Sequence, residues 1–445
     1  MEKLHSVSIH KELCVGCTNC IKECPTEAIR VRDGKAVIAD LRCIDCGECI
    51  RICPYHAKYA KIDLLDDIFK KTEKKCIHVA IVSPVLYTQF PHNTTRANVL
   101  LALKSLGFDY VYDESIGFSS YLKSVRKQID SMIEEAQPLS WREQREFFPL
   151  ISTSCPVVTR LIQLKYRTII PKLAQYSSPM DIVARMARDK ISATEECDRI
   201  SVTYVSPCSA RKTQALQPLG IKTSYIDYAI SIQEVYSRLI HIIEDYHDYD
   251  SDQLDKQGIY FSSKTQLRTA AVGGESLNID IDNFLTVDGI NNVMDILNEI
   301  ESEQLEGIFF VEPYACSGGC VGGPLCVANR FTAKARLREI SSENKQESIS
   351  KDLIIDLAMS DAWPWDEGLK DNKAMQLSDD ISLAMTKFEK IEKILKTLPG
   401  LDCGACGAPS CAAMAEDIVQ ENADIRDCII LRNERNNLDG RNNNE

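Results

Sequence analysis

A chain of 445 residues, 44% of them hydrophobic, is long enough for two to four domains with buried cores. Its formal charge of −13 argues against the basic face that nucleic-acid binding needs, and no apolar run reaches the roughly eighteen residues that span a bilayer. Nineteen cysteines would suggest a disulfide framework in a secreted chain, but MEKLHSVSIHKE lacks the apolar stretch of a signal peptide. The expectation is a cytoplasmic protein whose reduced thiolates hold metal, acting on a small neutral substrate or a protein partner.

The first sixty or so residues carry one cysteine pattern twice, about 29 residues apart, which marks an internal repeat. CVGCTNCIKECP (Cys14, Cys17, Cys20, Cys24) and CIDCGECIRICP (Cys43, Cys46, Cys49, Cys53) are each C-x₂-C-x₂-C-x₃-C-P. This is the bacterial ferredoxin run, in which the fourth cysteine serves the other cluster. One [4Fe-4S] cluster is then expected on Cys14, Cys17, Cys20 and Cys53, and a second on Cys43, Cys46, Cys49 and Cys24. Two zinc sites are the alternative, but zinc needs no interleaved repeat.

From Ile77 the character changes. IHVAIVSP reads as a buried strand, and TTRANVLLALKSLGFDYVYDES as a helix stopped near Gly107 and a second strand, together an α/β unit. Apolar runs at Phe147 to Ile151, Ile200 to Val205 and Ile308 to Val311 each end a few residues before a cysteine. Ligands in open α/β sheets gather beyond the carboxyl ends of strands, so three runs could deliver thiols to one site. The last run leads into EPYACSGGCVGGPLC, where Cys316 and Cys320 sit among four glycines. A zinc pair or a disulfide would not need that much bare backbone.

After about Leu337 the chain turns polar, with SSENKQESISKD as a surface connection. A packing helix is expected from Ser378, with Ser378 as its cap, Asp379 and Asp380 in the first turn, and Ile381, Met385, Phe388, Ile391 and Leu395 on one face up to Pro399-Gly400. Cys403-x₂-Cys406-x₄-Cys411-x₁₆-Cys428 follows and resembles the small four-cysteine [4Fe-4S] domain of several anaerobic redox and corrinoid proteins, with zinc as the alternative. Cys76, Cys197 and Cys326 have no partner pattern and read as buried apolar residues, and NNLDGRNNNE reads as a disordered tail.

Four cysteines remain at the strand ends: Cys155 in TSCP, Cys208 in VSPCSARK, and Cys316 with Cys320 in EPYACSGGC. These segments resemble, in order, the three signatures of [FeFe] hydrogenases, of the forms TSCCP, MPCxxK and ExMxCxxGC. YSSPMDIVARM and AAVGGES also look like family segments. The resemblance implies an α/β fold: a hydrogenase-like domain over 75–340, flanked by a small α+β ferredoxin-like domain over 1–62 and, after a linker and helix over 341–392, a small C-terminal iron-sulfur domain over 393–435. It further implies an H-cluster, a [4Fe-4S] cube on Cys155, Cys208, Cys316 and Cys320 with Cys320 bridging to a diiron subcluster that carries CO, cyanide and a dithiolate bridge. Ser83, Pro84, Pro207, Tyr314, Gly318 and Gly319 would surround that cofactor, and Ser154 and Arg211 would join Cys320 in catalysis. The whole chain would hold four [4Fe-4S] clusters. A ferredoxin-like redox partner and hydrogenase maturation proteins are the partners implied, with no nucleic acid and no membrane.

The chain departs from the family pattern where protons move. Ser154 stands at the place of a proton-relaying cysteine, and Val125 and Gln128 align with the two glutamates of the outer relay. Arg211 replaces a lysine that donates to a cyanide and is followed by Lys212, Gln214 replaces a glutamate, and Ser206 and Tyr314 replace methionines. This pattern resembles the sensory branches of the family, which implies slow turnover and a signalling partner, since no PAS or kinase-like segment is present.

Overall fold

The computed structural model describes residues 5–70, 76–137, 140–246, 254–342, 361–369 and 372–433. They fall into two compact units, one of Lys61–Lys370 and one that joins Met1–Ala60 to Asp371–Glu445.

The larger unit contains two parallel sheets. Its strands are β1 (Cys76–Val82), β2 (Tyr110–Asp113), β3 (Leu150–Ile151), β4 (Arg199–Ser206), β5 (Tyr228–Ser231), β6 (Ile259–Tyr260), β7 (Phe284–Asp288) and β8 (Phe310–Tyr314). One sheet has the order β6-β2-β1-β4-β5 and the other β7-β8-β3. The continuous apolar run of β1 suits a strand buried on both faces. Ala80 and Val82 enter one core while Val79 and Ile81 enter the other. Burial of each of the larger aliphatic side chains stabilises the fold by about 1.5–3 kcal/mol. The helix Arg96–Ser105 starts at a reciprocal cap, with Thr95 Oγ1 accepting from Asn98 N–H and Asn98 Oδ1 from Thr95 N–H, and it stops before Gly107 at φ +116°. The strand expected over Ile308 to Val311 begins at Phe310 and runs on to Tyr314.

In the smaller unit the sequence repeat is also a backbone repeat. Gly16 and Asp45, Thr18 and Gly47, and Glu27 and His56 all have positive φ at matching places in the two copies. Val7–Ile9 pairs with Lys58–Ala60, and Ile29–Arg32 pairs with Lys35–Ile38 across Asp33-Gly34, where both residues take the positive φ of a tight hairpin turn.

The helix expected from Ser378 spans Ile381–Leu395, and its cap is Asp380, whose carboxylate accepts from Leu383 N–H. Ser378 Oγ instead accepts from Asp380 N–H. The expected packing face is half right. Ile391, Ile394 and Leu395 pack against the C-terminal core, whereas Ile381, Met385 and Phe388 are 78%, 64% and 57% exposed. Most of the expected surface connection and the tail from Asn436 lie outside the described residues.

Candidate metal centre

Three strand ends bring thiols together in the larger unit. Cys155 follows β3 and caps the helix Pro156–Lys165, Cys208 follows β4 and caps the helix Ser209–Leu216, and Cys316 follows β8. Cys320 opens a short turn directly after Gly319. Burial pushes the Cys208 thiol up to about 12; Arg211 opposes this, while Cys316 and Cys155 add to it. Burial likewise holds the Cys320 thiol well above its usual value, again against Arg211 and reinforced by Cys155 and Cys208. Cys208 and Cys320 are therefore desolvated with Cys155 close by, and loading metal onto them releases protons.

Backbone crowds this site. Gly319 has φ 91° and ψ −156°, and a Cβ there would lie 2.5 Å from Val272 N. A Cβ on Gly323 would lie 2.3 Å from Pro207 O, and one on Gly322 would lie 2.2 Å from Ser317 O. Gly318, at φ +90°, has room, and its N–H donates to Asp288. Ser83 and Pro84 are buried at the end of β1.

Arg211 is buried, donates to Ser154 O at 2.9 Å and Gln214 Oε1 at 3.1 Å, and lies 3.5 Å from Glu114 Oε1. Lys212 is bound to Asp63 instead. Ser206 Oγ bonds around the Cys208 backbone, accepting its N–H and donating to its carbonyl. Ser154 is buried; burial raises the Glu275 carboxyl, and the hydroxyls of Ser152, Tyr314 and Ser154 oppose that rise. Val125 is fully buried, and Gln128 Oε1 is buried without a partner.

Sequence reasoning missed the acids beside this centre. Glu275 accepts from Ser152 Oγ at 2.6 Å and from Tyr314 OH at 2.7 Å. Glu312 accepts from Gly273 N–H and Glu275 N–H on one oxygen and from the N–H and hydroxyl of Ser276 on the other. Burial, with Glu275 second, pushes the Glu312 carboxyl up to about 8. A glutamate inside the apolar strand FVEPY was the available signal.

In the smaller unit, one cavity is lined by Cys14, Cys17, Cys20 and Cys53, which draws its four thiols from both copies of the repeat. Burial raises the Cys46 thiol first, followed by Cys24, Cys49 and Cys43, so the second quartet is gathered as well. Ala36, Ala28 and Ala57 donate N–H groups to Cys14, Cys24 and Cys53 at 3.2–3.4 Å. Such bonds to ligand sulfur tune iron-sulfur potentials. The ammonium of Lys58, 4% exposed and without a hydrogen-bond partner, acts on Cys14, Cys20 and Cys49 and so faces both quartets. A third cavity is lined by Cys403, Cys406, Cys411 and Cys428.

Four thiolates at about 2.3 Å from zinc would lie about 3.8 Å apart. Among the described residues, the group of three or more metal-ligating side chains whose ligand atoms all lie within 4.8 Å is His5, Cys43 and Asp45, which holds one thiol. Cys76, Cys197 and Cys326 are half-buried, not buried, because each sits near an element end; the thiol of Cys326 is 3.7 Å from Cys320 O.

Residues 76–324 match the family model of the iron only hydrogenase large subunit, C-terminal domain. Residues 6–54 match a 4Fe-4S dicluster domain, and residues 398–430 match an Fe-S cluster domain. The chain is 22% identical over 297 residues to iron hydrogenase 1 of Clostridium pasteurianum, covering 57% of this chain and 50% of that protein. It is 27% identical over 242 residues to the periplasmic [Fe] hydrogenase large subunit of Nitratidesulfovibrio vulgaris, covering 49% of this chain and 53% of that one. The chain thus spans about half the length of these curated relatives. An apo variant of the [FeFe]-hydrogenase HydA1 from Chlamydomonas reinhardtii has the same fold, with a TM-score of 0.51 at 13% identity over 66% of this chain and 92% of that one.

Proposed function

Since the chain belongs to the iron only ([FeFe]) hydrogenase large-subunit family, we propose that it interconverts H₂ with protons and electrons slowly, at an H-cluster, and serves as a hydrogen sensor. The residues fit that cofactor: thiols gathered at three strand ends, backbone with no space for a Cβ at Gly319 and Gly323, and a buried hydroxyl on Ser154. When bound, the diiron subcluster supplies reversible H₂ splitting. Cys155, Cys208, Cys316 and Cys320 would hold the cofactor, Cys320 serving its diiron part. Arg211 provides a fixed cationic donor, kept charged by Glu114 despite its burial.

The observation that carries slow turnover is the proton side. A relay needs groups that give and regain protons near the working pH. Ser154 barely ionises, Gln128 does not titrate, and Val125 has neither donor nor acceptor. Electrons would leave through the [4Fe-4S] clusters to a ferredoxin-like partner, maturation proteins would install the diiron unit, and a signalling partner would read the redox state.

The test is expression with and without the maturation machinery. About 18 irons are expected with it and about 16 without. Infrared bands of CO and cyanide should appear only with maturation and should be lost in Cys320→Ser. Their absence from matured wild-type protein would leave an iron-sulfur electron carrier, and fast H₂ turnover would leave an ordinary hydrogenase.

A further inference from the structure

In the unit that joins the two chain ends, the contacts between them fall on the cysteine loops themselves. Val31 N–H donates to Gly407 O at 2.8 Å. Gly407, at φ +82°, directly follows Cys406, and a Cβ on it would lie 2.0 Å from Val31 O, so the two backbones touch. Val31 in turn lines the cavity of Cys14, Cys17, Cys20 and Cys53. Arg32 Nη1 donates to Cys406 O at 3.3 Å. Gly404, which follows Cys403, packs against Ile21, the residue after Cys20.

A clamp fixes this arrangement. Asp417 accepts from Arg30 Nε at 2.7 Å, Arg30 Nη2 at 3.0 Å and Arg32 Nη2 at 2.6 Å, with the Arg30 and Asp417 side chains 14% and 10% exposed. Arg42 pairs with Glu416, and Ser410 Oγ donates to Glu27 at 3.3 Å. A bidentate, partly buried arginine–carboxylate pair sets orientation as well as adhesion. Docking that served packing alone could use any pair of surfaces. Here the neighbours of two ligating cysteines in the C-terminal quartet meet the neighbour of one ligand and the cavity wall of the first quartet.

We propose that the C-terminal cluster on Cys403, Cys406, Cys411 and Cys428 exchanges electrons directly with the cluster on Cys14, Cys17, Cys20 and Cys53, through the Val31–Gly407 contact. One electron passes, so one cluster is oxidised by one electron as the other is reduced by one; no proton or atom is transferred. The C-terminal domain is then a branch of the electron chain and not a structural staple. This rests on the reading that both quartets hold [4Fe-4S] clusters, but not on the presence of diiron.

The test uses full-length reconstituted protein, reduced and examined by electron paramagnetic resonance, beside Cys403→Ala/Cys406→Ala and Arg30→Ala/Arg32→Ala. The cysteine variant should lose about four irons. It should also lose spin–spin splitting from the ferredoxin-type signals. The arginine variant should keep its iron yet show weakened splitting, a readout that cluster loss alone would not give. Unchanged iron in the cysteine variant would overturn cluster occupancy and the proposal with it. Iron loss accompanied by ferredoxin-type signals identical to wild type would overturn the wiring alone.

Discussion

Alanine at Gly319 should damage the centre far more than alanine at Gly318, although both glycines have φ near +90°. At Gly319 the pair φ 91°, ψ −156° belongs to a region that only glycine populates, which costs about 1–3 kcal/mol for another residue. A Cβ there also meets backbone, Val272 N at 2.5 Å and Ala271 Cα at 2.8 Å, and such overpacking adds about 1–3 kcal/mol. Neither wall can easily retreat, because Val272 N–H is bonded to Gly318 O and Ala271 N–H to Arg268 O. Relaxation therefore has to move Cys320. At Gly318 the nearest atom to a Cβ is a methyl of Val321 at 3.6 Å, leaving a backbone term of about 1–2 kcal/mol. The assay is iron content after reconstitution together with the thermal midpoint. Gly319→Ala should lose about four irons and melt several degrees lower, whereas Gly318→Ala keeps its full iron. Equal iron and equal melting in the two variants would refute the claim that backbone crowding positions Cys320.

Ser154→Cys alone should raise H₂ turnover modestly at matched diiron loading, and adding Val125→Glu and Gln128→Glu should yield much more than the sum of the single changes. A full gain from Ser154→Cys alone would remove Val125 and Gln128 from the relay. Because Val125 is fully buried, its glutamate should also cost several kcal/mol of stability, measurable by urea unfolding. For Glu312, the folded-state value of about 8 lies above that of the unfolded chain, so its contribution is present below pH 4.5 and is lost as pH rises from there to about 8. Unfolding free energies measured between pH 5 and 8.5 should fall more steeply for wild type than for Glu312→Gln, and parallel slopes would contradict this. Lys58→Met should lower the reduction potentials of both N-terminal clusters, since a buried cation favours the more negative reduced state; a redox titration showing only one shifted, or neither, would count against it.

The gathering of thiols at strand ends was legible because cysteine spacing is a local property and the apolar runs announce strands, so the ends of β3, β4 and β8 could be located before their sheets were known. The crossing of Cys53 into the first quartet followed from the repeat. The acid pair was not legible, since Glu275 and Glu312 acquire their character from burial against each other across 37 positions of sequence. Lys58 was missed for the same reason. Periodicity revealed the apolar face of Ile381–Leu395 but not how much of it would be covered, and that is a tertiary fact. The misplaced cap has a simpler cause: Ser378 and Asp380 are both competent, and the choice between them turns on which one accepts from the first turn.

The discontinuity of the smaller unit sets an order of events during synthesis. Arg30, Arg32 and Arg42 leave the ribosome with the first sixty residues, whereas Asp417 and Glu416 arrive only after the whole of Lys61–Lys370 has been made. At about 5–20 residues per second, the three guanidinium groups wait tens of seconds for their carboxylates. A nascent chain thus carries three guanidinium groups that the finished protein neutralises, and their pairing reports that translation has passed Cys411.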